Sequence, residues 1–397
     1  MSLAKRHQTA TIRLMKTFDV AVVGAGVFGA WTTYLLNQSG AKVILIDAYG
    51  PGNSRSSSGG ESRIIRMGYG PDEIYSRSAI RSLSNWRQLF ASAPTNTPLF
   101  VQTGVLWLAK EQDAYCEATA RTLETLGVNI ERLSVDQLSS RYPQFDFTGV
   151  SWGLLEPESG ALLARRAVQT VVSETIAQGT TLLIDKVNPP TGSGTRLDSL
   201  TTTKATRIAA DKYVFACGPW LPKLFPALLQ NIIHVTRQEV FFFGTPAGDD
   251  RFNPGQMPIW VDFNDLVYAL PNLESRGFKL AIDAHGADFD PDTGDRVVSE
   301  AGVSDTRSYL RRRVPSLAKA PIVETRVCQY ENTPNGDFLI DRHPNLENVW
   351  LVGGGSGHGF KHGPVVGDHV TALIAGTTSP ETRFALSTKR LQERQVF

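Results

Sequence analysis

The sequence predicts an α/β protein in two parts: a Rossmann-like parallel sheet wound with helices, and a second domain built on a mixed or antiparallel sheet packed with helices. Two stretches carry that prediction. Near the start, "FDVAVVGAGVFGAWTTYLLNQSGAKVILID" runs through strand, glycine turn, helix and strand. Later, "RQEVFFFG", "LVYALP" and "GFKLAID" read as short apolar strands of the second sheet. A chain of 397 residues with 41% hydrophobic content is long enough for two or three domains and a large core.

In the first stretch, Val20 to Val23 has strand length, Ala30 to Gln38 has helical character, and Val43 to Ile46 is the next strand. Parallel strands joined by a helix form a βαβ unit. Gly24, Gly26 and Gly29 make G-x-G-x-x-G at its first turn: one glycine for a tight turn, one for close approach of backbone to a pyrophosphate, one for helix–strand packing. The N–H groups and dipole of the helix start then face the phosphates. Asp47 closes the second strand at the spacing expected of an acid that accepts hydrogen bonds from ribose hydroxyls. The unit predicts dinucleotide binding, and by itself leaves NAD or FAD open.

The remaining first-domain elements follow in order. "ALLARRAVQTVVSETIAQG" reads as a helix, "DKYVFACGPW" as a strand ending at Cys217 and Gly218 in a turn beside the cofactor, and "NVWLVGG" as the closing strand. Pro364 opens a last helix after the turn "GSGHGF". The cofactor domain is thus expected to be discontinuous, at about 1–90, about 150–230 and about 330–397, with substrate-domain pieces at about 91–149 and about 231–329. Domain junctions favour enclosed pockets, so the substrate is expected between the second sheet and the cofactor.

Forty basic against thirty-nine acidic side chains give a formal net charge of +1, which offers no field for nucleic acid or acidic lipid. The expected partner is a small molecule. Three cysteines without C-x-x-C spacing argue against a disulfide framework or a metal site and fit a reducing cytoplasm. No segment has the eighteen uninterrupted apolar residues of a membrane span. "MSLAKRHQTATIRLMKTF" carries four basic residues and no acid; we read it as an unstructured leader, with the fold starting near Met15.

The segment "SSSGGESRIIRMGYG" is too polar and glycine-rich for a core element, and its small residues, Ser57 among them, let backbone run close to a cofactor. Arg63 and Arg66 are three apart, so in a helical turn they would share one face. The order of glycine fingerprint, this segment, "CQYENTPNGDFLID" and "GGGSGHGFK" resembles the monomeric sarcosine oxidase family of flavin-dependent amine oxidases, within the D-amino-acid oxidase-like superfamily, from about Phe18 to about Gly376.

That resemblance implies FAD, attached through a thioether at Cys328, whose thiolate a nearby cation would favour. It implies Arg66 and Lys361 as the clamp on a substrate carboxylate, and Gly354, Gly357 and Gly359 as the turn at the flavin edge. Arginine grips a carboxylate bidentately and lysine adds a compact charge. Lys279 matches the lysine that assists oxygen. Sarcosine-oxidising members have a histidine four residues after it, where this chain has Asp283, with His285 two further on. Asp283 in the pocket would shift preference to other amines, such as larger N-alkylated, fructosyl or cyclic imino acids. Tyr330 is expected to line the same cavity, and His358 to be structural. The implied enzyme is a monomeric, cytoplasmic FAD oxidase of secondary amines that turns O2 into H2O2. A dehydrogenase passing electrons to a quinone or carrier is the competing reading.

Overall fold

The computed structural model describes residues 17–93, 98–191 and 194–389; the basic leader falls outside them apart from Thr17 and Phe18. Phe18–Val23 lies at the heart of a six-stranded sheet, between Ala210–Phe215 and Val43–Asp47. Val349–Gly353 and Thr181–Ile184 extend it in parallel on either side, and Leu339–Arg342 adds an antiparallel edge. Both faces of the sheet are covered, as parallel sheets require. Val20 and Val22 pack with the helices Val27–Gln38, Ala164–Ala177 and Gly363–Ala375, while Ala21 and Val23 join a second cluster with Phe215 and Leu221.

The second sheet has eight strands in the order Ile322–Asn332, His234–Phe243, Phe278–Ile282, Val267–Leu270, Ile259–Asp262, Val105–Ala109, Trp152–Glu156, Glu131–Ser134. All pairs are antiparallel except Ile259–Asp262 with Val105–Ala109, which makes it a mixed sheet. Trp152–Glu156 belongs to this sheet although its numbers fall in the stretch expected for the first domain.

The arginine segment departs from the helical turn considered above. Arg63–Ile65 is a strand, paired antiparallel with Gly160–Leu162, which also pairs with Phe100–Gln102. The segment is also more buried than its polarity predicts: Ile65, Met67 and Tyr69 enter the first core cluster. The buried carboxylate of Glu156 explains this. It accepts Met67 N–H at 2.6 Å, Gly68 N–H at 3.1 Å, Trp107 Nε1–H at 2.8 Å and Ser159 Oγ–H at 2.6 Å, so the polar backbone of the segment is satisfied inside the protein.

Candidate active site

The fingerprint folds as its spacing requires. Gly24 has φ +105°, and a Cβ there would stand 2.3 Å from the Ala216 carbonyl oxygen; a Cβ on Gly29 would stand 1.8 Å from that of Gly24. Val27–Gln38 starts at Gly26, which has no side chain to cap it, and Ser58 Oγ accepts the Val27 N–H at 3.0 Å. Asp47 is pinned by backbone: Oδ2 accepts Ala25 N–H at 2.7 Å, and Oδ1 accepts Tyr49 and Gly50 N–H, both at 2.8 Å. Burial holds its pKa above the usual carboxylate range despite these bonds.

Around this turn lies a cavity of about 330 Å³, lined by Gly24, Gly26, Asp47, Ser57, Arg63, Cys217, Gly218, Gly357 and Gly359 of the expected cofactor set. Gly29 and Gly354 pack behind it, and Cys328 and Lys361 line a second cavity of about 80 Å³. Arg63, Tyr330, Gly357 and Phe360 border both. Strand alternation makes Ile322–Asn332 part of the partition: Gln329 and Glu331 border the first cavity, Cys328 the second, and Tyr330 both. A glycine-fingerprint turn leading into a helix start on one wall, with an acid at the end of the neighbouring strand, fits a dinucleotide cofactor such as FAD.

Arg63, Arg66, Lys279, Asp283, Tyr330 and Lys361, all singled out in the sequence, border the second cavity. Arg66 is buried, donates to the Gly68 carbonyl and lies over the rings of Tyr69 and Trp107, 4.4 and 4.8 Å from their centroids. Lys361, in the 3-10 turn Gly359–His362, donates to the Tyr69 hydroxyl at 2.7 Å and the His358 carbonyl at 3.0 Å. Burial and then Arg66 push its pKa well below the usual lysine value. Tyr69 also meets His362 Nε2 at 2.7 Å and His358 Nδ1 at 3.3 Å. His358 Nε2 faces the Gly336 carbonyl at 3.1 Å; a carbonyl only accepts, so this nitrogen carries the proton.

Lys279 is buried in the centre of the second sheet and donates to the carbonyl and hydroxyl of Ser62 at 2.9 and 3.1 Å. Burial and then Arg63 push it down to about 7. Asp283 accepts the Tyr330 hydroxyl at 2.6 Å, and burial raises it to about 6 against that bond and the charges of Arg66 and Lys361. His285 is absent from the lining. Cys328 is buried with Sγ 3.3 Å from Arg63 Nη2. Its sequence neighbour Arg326 is instead held by Glu61, Nε to Oε2 at 2.8 Å.

Sequence reasoning missed three contributors: Glu156 behind Arg66, Tyr69 as the meeting point of Lys361 with two histidines, and Glu331 in the cofactor cavity. An acid closing the apolar run "WGLLE" was the one visible signal for Glu156. Tyr69 and Glu331 stand inside segments already singled out and carry no signal that separates them from their neighbours.

A glycine-fingerprint cavity that shares a wall with a chamber bordered by Arg63, Arg66, Lys279 and Lys361 is the arrangement of a dinucleotide-dependent oxidoreductase. The chain belongs to the FAD dependent oxidoreductase (DAO) family, whose model matches residues 19–373. It is 30% identical over 391 residues to the monomeric sarcosine oxidase of Bacillus sp. (strain NS-129), covering 96% of this chain and 99% of that protein. It is 29% identical over 372 residues to the N-methyl-L-tryptophan oxidase of Salmonella newport (strain SL254), covering 91% and 95%. Among solved structures, L-proline dehydrogenase from P. horikoshii superposes with a TM-score of 0.83 at 20% identity, covering 96% of this chain and 100% of that one, which shows a shared fold. The expected fold class and family are borne out, and the protein is an FAD-dependent oxidoreductase. Among the described residues no helix is long and apolar enough to cross a membrane.

Proposed function

We propose that this protein is an oxidase of N-substituted amino acids, converting the substrate C–N bond to an imine that hydrolyses and reducing O2 to H2O2. One observation carries the reading: Arg66 and Lys361 border one buried chamber and hydrogen-bond only to carbonyls and a phenol, so neither is ion-paired among the described residues, and Asp283 acts on them only at longer range. A substrate carboxylate supplies that missing charge and, on binding, favours the protonated form of Lys361. The sarcosine and N-methyltryptophan oxidase relatives act on molecules of this class.

Each residue then has a physical task. Arg66 and Lys361 hold the carboxylate and so orient the amine. The Asp283–Tyr330 pair borders the same chamber and faces the amine or its substituent with a polar, titratable edge, which moves preference away from sarcosine. Bound FAD supplies the acceptor for a hydride from the substrate's α-carbon. Lys279 offers a fixed cation for the charge that develops on oxygen. Cys328 is the tether, with Arg63 Nη2 at 3.3 Å from its sulfur. The parallel sheet and its helices form the flavin domain in this reading, and the eight-stranded sheet the substrate domain. A monomer in the cytoplasm completes it, supported by the free state of Cys116, Cys217 and Cys328.

The test is a panel of N-methyl, cyclic and fructosyl amino acids with the purified protein in air. The expected result is peroxide released in step with substrate consumed. Turnover with an artificial electron acceptor but no peroxide in air would instead make it a dehydrogenase.

A further inference from the structure

The cofactor cavity contains an acid that neither the fingerprint nor the family resemblance assigns. Glu331 is 8% exposed and borders the same cavity as Gly24, Gly26 and Asp47. Its Oε1 accepts the Gly355 N–H at 3.4 Å, and its Oε2 has no hydrogen-bond partner among the described residues. Gly218 leaves the approach to it open: a Cβ built there would lie 3.5 Å from Oε2. Leaving a buried oxygen unbonded costs stability, so packing alone is a poor reason for a carboxyl at this place.

No cation among the described residues is ion-paired with it. The three that border the cavity are engaged elsewhere: Arg63 with the Ser57 carbonyl and Cys328, Lys223 with Asp290 and Asp292, and Lys186 with Asp292. The groups facing Glu331 are the N–H groups of Gly354 and Gly355 and the thiol of Cys217, which burial, Asp47 and Glu331 itself hold protonated. Burial raises Glu331 to about 7 against the two N–H groups.

We propose that Glu331 is a cofactor-binding residue that holds FAD through a hydrogen bond donated by its protonated carboxyl. FAD carries acceptors and two phosphate charges as well as hydroxyl donors; toward an acceptor or a phosphate the neutral acid donates, while the carboxylate repels. FAD binding therefore takes up a proton wherever free Glu331 is ionised. This rests on the family's FAD and not on the substrate proposed above, so either can fail alone.

The experiment uses full-length Cys328→Ser apoprotein, in which FAD binding is reversible. Titration is followed by flavin fluorescence and by calorimetry in buffers of differing ionisation enthalpy. The expected result is proton uptake above pH 7, with affinity falling about tenfold per pH unit once the acid is ionised. Adding Glu331→Gln keeps a donor that does not titrate, and should bind FAD without that uptake and with a flat profile. Adding Glu331→Ala should weaken binding across the range. Equal uptake and equal pH dependence in the Gln variant would overturn the proposal, as would unweakened binding in a folded Ala variant. If the Ala variant does not fold, the Gln comparison decides alone.

Discussion

The larger cavity, about 330 Å³, is shaped chiefly by turns: the fingerprint, the Cys217–Gly218 bend and the glycine run that ends at Lys361 bring backbone to its walls. The smaller one, about 80 Å³, is shaped by side chains that arrive separately, with Arg66 from beyond a short strand, Lys279 and Asp283 from the second sheet and Lys361 from a 3-10 turn. A backbone cradle follows from local sequence, because glycine spacing fixes it within one βαβ unit. A side-chain chamber depends on tertiary packing. The first can be shared across a family while the second can be retuned one residue at a time, the task proposed above for Asp283.

The sharpest way to break this contrast is at the shared wall, where Cys328 would tie the cofactor of the first cavity into the second. Acid-precipitated wild-type protein should stay yellow, and Cys328→Ser should release all its flavin to the supernatant. A colourless wild-type pellet would remove the covalent link and leave the cavities joined by packing alone.

A smaller effect separates the two halves of the reaction. For Lys279→Met, reduction by substrate should persist while reoxidation by oxygen slows by about 10²–10³-fold, the scale of losing one fixed electrostatic donor. The pH sign follows from its environment. Lys279 is pushed down to about 7, so its charge is present below that value and lost above it. Wild-type reoxidation should slow as pH rises through this range, and the Met variant should be flat. Unchanged reoxidation in the variant would assign oxygen activation to another cation.

The fold was largely legible because its signals are periodic. Strand runs at Val20–Val23 and Val349–Gly353 needed only their apolar length, and the last helix only its Pro364. The residues that resemblance singled out come together around one chamber, but their partners were not legible in the sequence. The cation on the Cys328 sulfur is Arg63 and not the adjacent Arg326, because Glu61 holds Arg326. Arg63 and Arg66 reach one chamber from a strand and its end, where helical spacing had offered a simpler reason. Glu156 and Tyr69 lie 88 and 292 residues from the Gly68 and Lys361 they bond, and pairing over that separation leaves no mark in local pattern.

The central claim is that Arg66 and Lys361, neither of them ion-paired among the described residues, select a carboxylate for flavin oxidation. It is tested most directly by anaerobic flavin bleaching with a matched pair: an N-methyl or cyclic amino acid, and the same amine lacking its carboxylate. Wild-type protein should be bleached by the acid and scarcely by the amine. Arg66→Ala should weaken binding of the acid by at least about 2 kcal/mol and erase most of the distinction. Equal bleaching of the wild type by both members of the pair would contradict the account.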